Sequence, residues 1–103
     1  MDLSDLTAEN TRPLVGTTFR LEPGDGKSLE LTLDRVEVLA EKHHANRMKR
    51  DSFGMYFLGP PDLYIRQGMY STFHETLGGP LPIFYVPIQR REDGRYEYEA
   101  VFT

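Results

Sequence analysis

Leu29-Glu30-Leu31-Thr32-Leu33-Asp34-Arg35-Val36-Glu37-Val38 is the stretch that decides the reading of this chain. Its leucines fall on every second residue, with Glu30 and Thr32 between them, which is the period of a strand with one buried face. Past Asp34-Arg35 the apolar parity flips to Val36 and Val38. A flip inside one extended run predicts a β-bulge, which bends the strand and re-aims its face. A curled sheet is expected rather than a flat one.

Outward from that stretch the two-residue rhythm continues. Thr17-Thr18-Phe19-Arg20-Leu21 reads as the preceding strand, joined through Pro23-Gly24-Asp25-Gly26, where Pro pre-sets φ and Gly permits a positive one. Ser52 to Leu58 reads as a third strand with Phe53, Met55 and Phe57 on one face. Gly59-Pro60-Pro61-Asp62 ends it, because Pro supplies no ladder donor. Gln67 to His74 is a fourth strand, followed by the turn Leu77-Gly78-Gly79-Pro80. Leu81 to Ile88 is a fifth, with Phe84, Val86 and Ile88 expected to point inward and with Pro82 and Pro87 limiting its pairing or putting it at an edge. Glu92-Asp93-Gly94 signals a hairpin, and Tyr96, Tyr98, Ala100 and Phe102 line one face of a sixth strand. Residues 4–15 form the one helix candidate, with Ser4 or Thr7 as N-cap, Asp5 and Glu9 in the first turns and Pro13 as terminator. The expected fold is mainly β: a small antiparallel six-stranded barrel, roll or sandwich with one short N-terminal helix, in a single domain over residues 1–103.

Composition narrows the chemistry. The 103 residues include six Tyr and six Phe but no Trp and no Cys, so the core relies on phenyl and phenol rings. Without Cys there is no disulfide framework, thiolate zinc site or cysteine nucleophile. A net charge of −4 gives no general attraction to nucleic acid or anionic lipid. No apolar run approaches a bilayer-spanning length, and Met1-Asp2-Leu3-Ser4-Asp5 has neither the basic nor the apolar part of a signal peptide. The expectation is a protein without membrane insertion, either cytoplasmic or part of an assembly exported without a Sec signal.

His43, His44 and His74 with Glu41 and Asp51 are the candidate metal ligands. Adjacent histidines on an extended chain face opposite ways and no helical H-x-x-x-H spacing is present, so a solvated loop is expected and no metal is assigned. The unperturbed pKa of a histidine suits general-base chemistry, which makes His74 a candidate base, but Ser71 lies on the other strand face. An enzyme alternative requires His74 to meet Tyr70, Glu75 or Asp51 in a concave pocket. Lys42, Arg47, Lys49 and Arg50, helped by Arg35, form a local basic run with aromatic Phe53 and Tyr56 after it. Basic loops beside aromatic strands are how OB-type barrels hold single strands, so polyanion binding by this loop is a second alternative. Gly24, Gly26, Gly78 and Gly79 are turn glycines, since none opens a helix. Ile83, Tyr85 and Val101 fall opposite the expected core faces, which predicts an exposed apolar stripe for a protein contact unless the N-terminal helix covers it. A terminal or edge strand would further allow strand addition.

The chain also resembles a known family. Phe53-Gly54-Met55-Tyr56-Phe57-Leu58-Gly59-Pro60 carries the resemblance, with Gln67-Gly68-Met69-Tyr70, His74, Leu77-Gly78, Phe84-Tyr85-Val86-Pro87-Ile88 and Tyr98-Glu99-Ala100-Val101-Phe102. Pro13-Leu14-Val15-Gly16 fits as well. These segments are similar to a family of small uncharacterised bacterial domains of about this length, associated with phage-tail-collar-like proteins. The resemblance implies no activity and no catalytic residue set. Thr11, where an aromatic is usual, and Thr72, where a large aliphatic is usual, depart from the family pattern. Both departures bear on packing rather than on a site.

The sequence reading is therefore a non-enzymatic interaction or assembly component, accessory to a phage-tail-like or surface apparatus. Its contact residues would be Ile83, Tyr85 and Val101, its partner a protein or a second copy. No cofactor, nucleic acid or small-molecule ligand is assigned.

Overall fold

The computed structural model describes residues 2–23, 26, 28–40 and 51–103. Six strands follow the N-terminal segment: β1 Thr18–Glu22, β2 Leu29–Ala40, β3 Ser52–Gly59, β4 Gly68–His74, β5 Gly78–Arg90 and β6 Tyr96–Phe102. Every pairing is antiparallel, and the order β1-β2-β3-β6-β5-β4 closes on itself through β4 and β1. The fold is thus two three-stranded meanders joined edge to edge at β3–β6 and at β4–β1. Closure removes the free edges, so the strand-addition route expected from the sequence has no edge among the described strands.

The bulge read from the parity flip lies where expected, with the β2–β3 register shifting between Leu33 and Arg35. It lets Leu31, Leu33 and Val36 all reach the bore although their spacing breaks period 2. β5 is the longest strand and changes partner along its length. Gly78 to Tyr85 pair with β4, and Val86 to Arg90 pair with β6. Pro82 and Pro87, expected to restrict the pairing of β5 or to put it at an edge, both sit in paired positions, opposite Ser71 and Tyr98, and β5 lies between β4 and β6.

Rings fill the bore. His74 lies 4.4 Å from Phe19, Phe19 meets Phe57 edge-on at 5.1 Å, and Phe57 meets Tyr85 edge-on at 5.3 Å. Phe53 stacks on Phe102 at 5.0 Å. Each fully buried Phe contributes roughly 2–3 kcal/mol of apolar transfer, and edge-on geometry adds to it. Two inward phenols find partners. Tyr85 Oη shares a hydrogen bond of 3.0 Å with Thr72 Oγ1, and Tyr98 Oη accepts from the Ile65 amide at 2.9 Å, pinning the β3–β4 connection. Burial pushes the Tyr85 phenol above its ordinary value, the Thr72 hydrogen bond opposing it. Thr72 thus gives the buried Tyr85 hydroxyl a partner that an aliphatic side chain at this position would not supply. Thr11 is equally buried and donates to the Thr7 carbonyl at 2.7 Å.

The N-terminal segment is less helical than the sequence suggested. Only α1, Ala8–Thr11, is α-helical, between 3-10 turns at Leu3–Asp5 and Arg12–Leu14. Two capping boxes interrupt it. Asp2 and Asp5 cap the first turn reciprocally, and Thr7 and Asn10 cap α1, with Thr7 itself extended. Ser4 is not a cap, and Pro13 tightens the last turn. Leu6, Ala8 and Leu14 enter the core where β1 begins, and Gly16 and Thr17 exchange hydrogen bonds with Leu33.

Candidate functional site: the outer wall of the barrel

Because side chains occupy the bore, the chemistry open to a partner lies on the outer wall. Its rows follow from the strand register. Val86, Glu99, Tyr56 and Arg35 line up across β5, β6, β3 and β2, and the last three interact through their side chains. Tyr56 Oη donates to Glu99 Oε2 at 2.8 Å, and the Arg35 guanidinium covers the Tyr56 ring at 4.2 Å. Burial and the Glu99 bond push the Tyr56 phenol up to about 12.

The neighbouring row holds a wholly buried carboxylate, Glu97. Gln89 Nε2 donates to its Oε1 at 3.0 Å and Arg91 Nε does so at 3.1 Å, while Arg35 Nη2 lies 3.0 Å from Oε2. Asp34 joins the two arginines, 3.1 Å from Arg35 and 2.8 Å from Arg91. Burial pushes the Glu97 carboxyl up, but the bonds from Gln89, Arg91 and Arg35 outweigh it and hold it below its ordinary value. Burial works against the Arg35 charge in the same way, and its bonds to Glu37, Glu97 and Asp34 hold it charged above its ordinary value. The bulge explains the assembly, since it sets Asp34 and Arg35 side by side within reach of β6. Arg35 was expected to reinforce a basic patch. Its charge is instead committed to three carboxylates, and the group acts as a clamp across β2, β5 and β6. Sequence reading missed this clamp because Arg35 and Glu97 are distant in the chain and no local motif links them.

His74 is buried at the end of β4. Its Nδ1 accepts from the amides of Thr76 at 2.9 Å and Leu77 at 3.3 Å, which fixes the proton on Nε2, 2.8 Å from Thr17 Oγ1. Thr17 Oγ1 passes its own proton to the Leu14 carbonyl at 2.6 Å. Burial lowers the His74 pKa, with the Glu75 charge opposing it. The ring therefore ties the β4–β5 turn to the start of β1, and its lone pair is committed to two amides. Tyr70 Oη donates to the Arg66 carbonyl at 2.6 Å and does not meet it.

The expected contact stripe needs correction. Ile83 and Tyr85 are 1% and 0% exposed, inside the barrel, whereas Phe84 and Ile88 are 44% and 42% exposed, outside. β5 carries apolar residues on both faces, so periodicity alone does not choose between them. The β4 register does, setting Leu81 opposite Thr72 and Ile83 opposite Tyr70. Val101 is exposed as expected. Its outward neighbours are Phe84, at the next same-face position beyond the Val86–Glu99 pair, and Met69, directly opposite Phe84. Met69, Phe84 and Val101 thus form an exposed apolar row across β4, β5 and β6.

Lys42, Arg47, Lys49, Arg50, Glu41, His43 and His44 lie outside the described residues, so the basic-loop and metal readings that rest on them are untouched by this geometry. Among the described residues no three of His, Asp and Glu are grouped as a metal site would need. Also among them, no helix is long and apolar enough to cross a membrane.

A family model described as a domain of unknown function, DUF6916, matches residues 6–102. The chain belongs to this family. The match runs from Leu6 in the N-terminal segment to Phe102 at the end of β6, so in this DUF6916 chain it takes in every strand of the barrel. No curated protein and no solved structure matches the chain.

Proposed function

We propose that the domain is a protein-contact module rather than an enzyme, docking a protein partner or a second copy of itself through Met69, Phe84 and Val101. The observation that carries this reading is the outer row itself, apolar and exposed on a barrel whose bore is already filled by its own rings. Contiguous exposed apolar surface is the usual mark of a contact site. The commitment of the His74 lone pair to two amides supports the non-catalytic part. The setting we propose, on the strength of the sequence resemblance alone, is an accessory or assembly role in a phage-tail-like or surface apparatus.

Sedimentation of the protein alone, and mixed with the products of neighbouring genes, tests the reading. The expected result is a complex or self-associated species that Phe84→Glu abolishes while the circular dichroism spectrum stays unchanged. A complex untouched by Phe84→Glu, or a monomer in every mixture, overturns it.

A further inference from the structure

A second surface lies at the far end of β5. Six residues of extended chain, about 20 Å, separate Phe84 from Arg90. Here Tyr64, Pro87, Ile88, Gln89, Arg90 and Tyr96 line a cleft of about 260 Å³ between the β3–β4 connection and the β5–β6 hairpin. The β5–β6 register shifts between Pro87 and Gln89, and this bulge turns Ile88 outward as one wall. Tyr64, 53% exposed, meets Tyr96 edge-on at 5.3 Å and 70°, so two rings stand at an angle with Pro87 nearby. The Arg90 guanidinium lies 5.1 Å over the Tyr96 ring, and its Nε donates to the Gly94 carbonyl at 3.0 Å. Arg20, Arg35, Arg91 and Arg95 each pair with a carboxylate, whereas Arg90 has no carboxylate partner among the described residues.

The geometry points to a binding site for an extended, proline-containing peptide with an acidic residue beside the proline. The cleft is smaller than the roughly 300–1,000 Å³ of small-molecule pockets and suits one or two side chains. Angled tyrosines beside a proline present flat apolar walls to a pyrrolidine ring. A polyproline-type segment is already extended, so little conformational entropy is lost on docking. The Arg90 guanidinium at the rim, without a carboxylate partner among the described residues, supplies the complement for one. This site is separate from the Met69–Phe84–Val101 row and does not depend on it.

Amide and tyrosine-ring NMR titration with acetyl-Pro-Pro-Glu-Pro-Pro-amide tests the proposal, with the Glu→Gln and all-Gly-for-Pro peptides as comparisons. Shifts are expected at Tyr64, Tyr96 and Arg90, with binding at least tenfold weaker for the Gly peptide and for Tyr64→Ala. Arg90→Gln should weaken the Glu peptide severalfold and leave the Gln peptide unchanged. Tyr64→Phe, which keeps the ring, should bind as the parent does, and Phe84→Glu should leave peptide binding intact. Dispersed spectra of each variant establish that it is folded. Absence of shifts up to about 5 mM peptide, near the weak limit of measurable affinity, overturns the proposal, as does equal binding by folded Tyr64→Ala. Shifts at Tyr64 produced by cellotetraose and not by the peptide would also overturn it, assigning the cleft to sugar.

Discussion

Gly54-Met55-Tyr56 on β3 and Gly68-Met69-Tyr70 on β4 are the same three residues with opposite fates. Met55 is 0% exposed in the bore and Tyr56 lies outside under Arg35, whereas Met69 is 61% exposed and Tyr70 packs inward near Tyr85. Nothing within the tripeptide decides this. Phe53 and Phe57 fix the inward parity of β3, and Thr72 and His74 fix that of β4. In both copies the Tyr ring folds back toward the Gly two residues earlier, but the approach is tighter on β3. The comparison shows that register, not local motif, assigns a residue to packing or to a surface.

The largest expected contrast lies between the methionines. Met55→Ala empties part of a filled bore and should cost about 2–5 kcal/mol in urea unfolding. Met69→Ala should stay within about 0.5 kcal/mol. Similar costs for both would break the inside–outside assignment.

The glycines give the next contrast. A Cβ at Gly54 would sit 2.9 Å from the Tyr56 ring, and at Gly68 it would sit 3.7 Å from the Tyr70 ring, ordinary contact. Gly54→Ala should therefore push Tyr56 away from its place between Arg35 and Glu99 and cost about 1–3 kcal/mol, whereas Gly68→Ala should be near neutral. The same unfolding measurement reads both.

The smallest effect is a pH response confined to the β4 side, where the inward row ends in His74. Its folded-state pKa lies below the ordinary 6.5, so the unfolded chain takes up the proton first. Its contribution to stability is full above about pH 6.5 and falls as the pH is lowered through that value, by at most about 1.4 kcal/mol per pH unit. Glu97, held below its ordinary 4.5, loses its contribution only at lower pH, so the two windows separate. His74→Gln, which keeps an acceptor and a donor, should flatten the urea midpoint between about pH 7 and 5. An unchanged slope would show that His74 does not carry the response.

The β architecture was legible because β2, β3 and β6 carry apolar side chains at period 2, and the flip after Leu33 announced the bulge. β5 was not legible in the same way. Ile83, Phe84, Tyr85 and Val86 are all apolar or aromatic, so its parity is set by partners on β4 that local sequence does not name. That one ambiguity moved Ile83 and Tyr85 from the outer wall into the bore, while Val101 on β6 stayed outside. Barrel closure and the Glu97 clamp were hidden for a related reason, since both depend on strands distant in the chain. The N-terminal segment carried two competing caps within one helical signal, and the caps prevailed. The Tyr64–Tyr96 cleft joins a loop to a hairpin base and leaves no periodic trace.

Methionine oxidation by peroxide, mapped by mass spectrometry on the free and the assembled protein, tests most directly whether the outer row is the working surface. The account predicts that Met69 oxidises readily in the free protein and is protected in the assembly, while Met55 is protected in both. Met69 oxidising equally fast in the two states, or Met55 oxidising as readily as Met69 in the free protein, would contradict it.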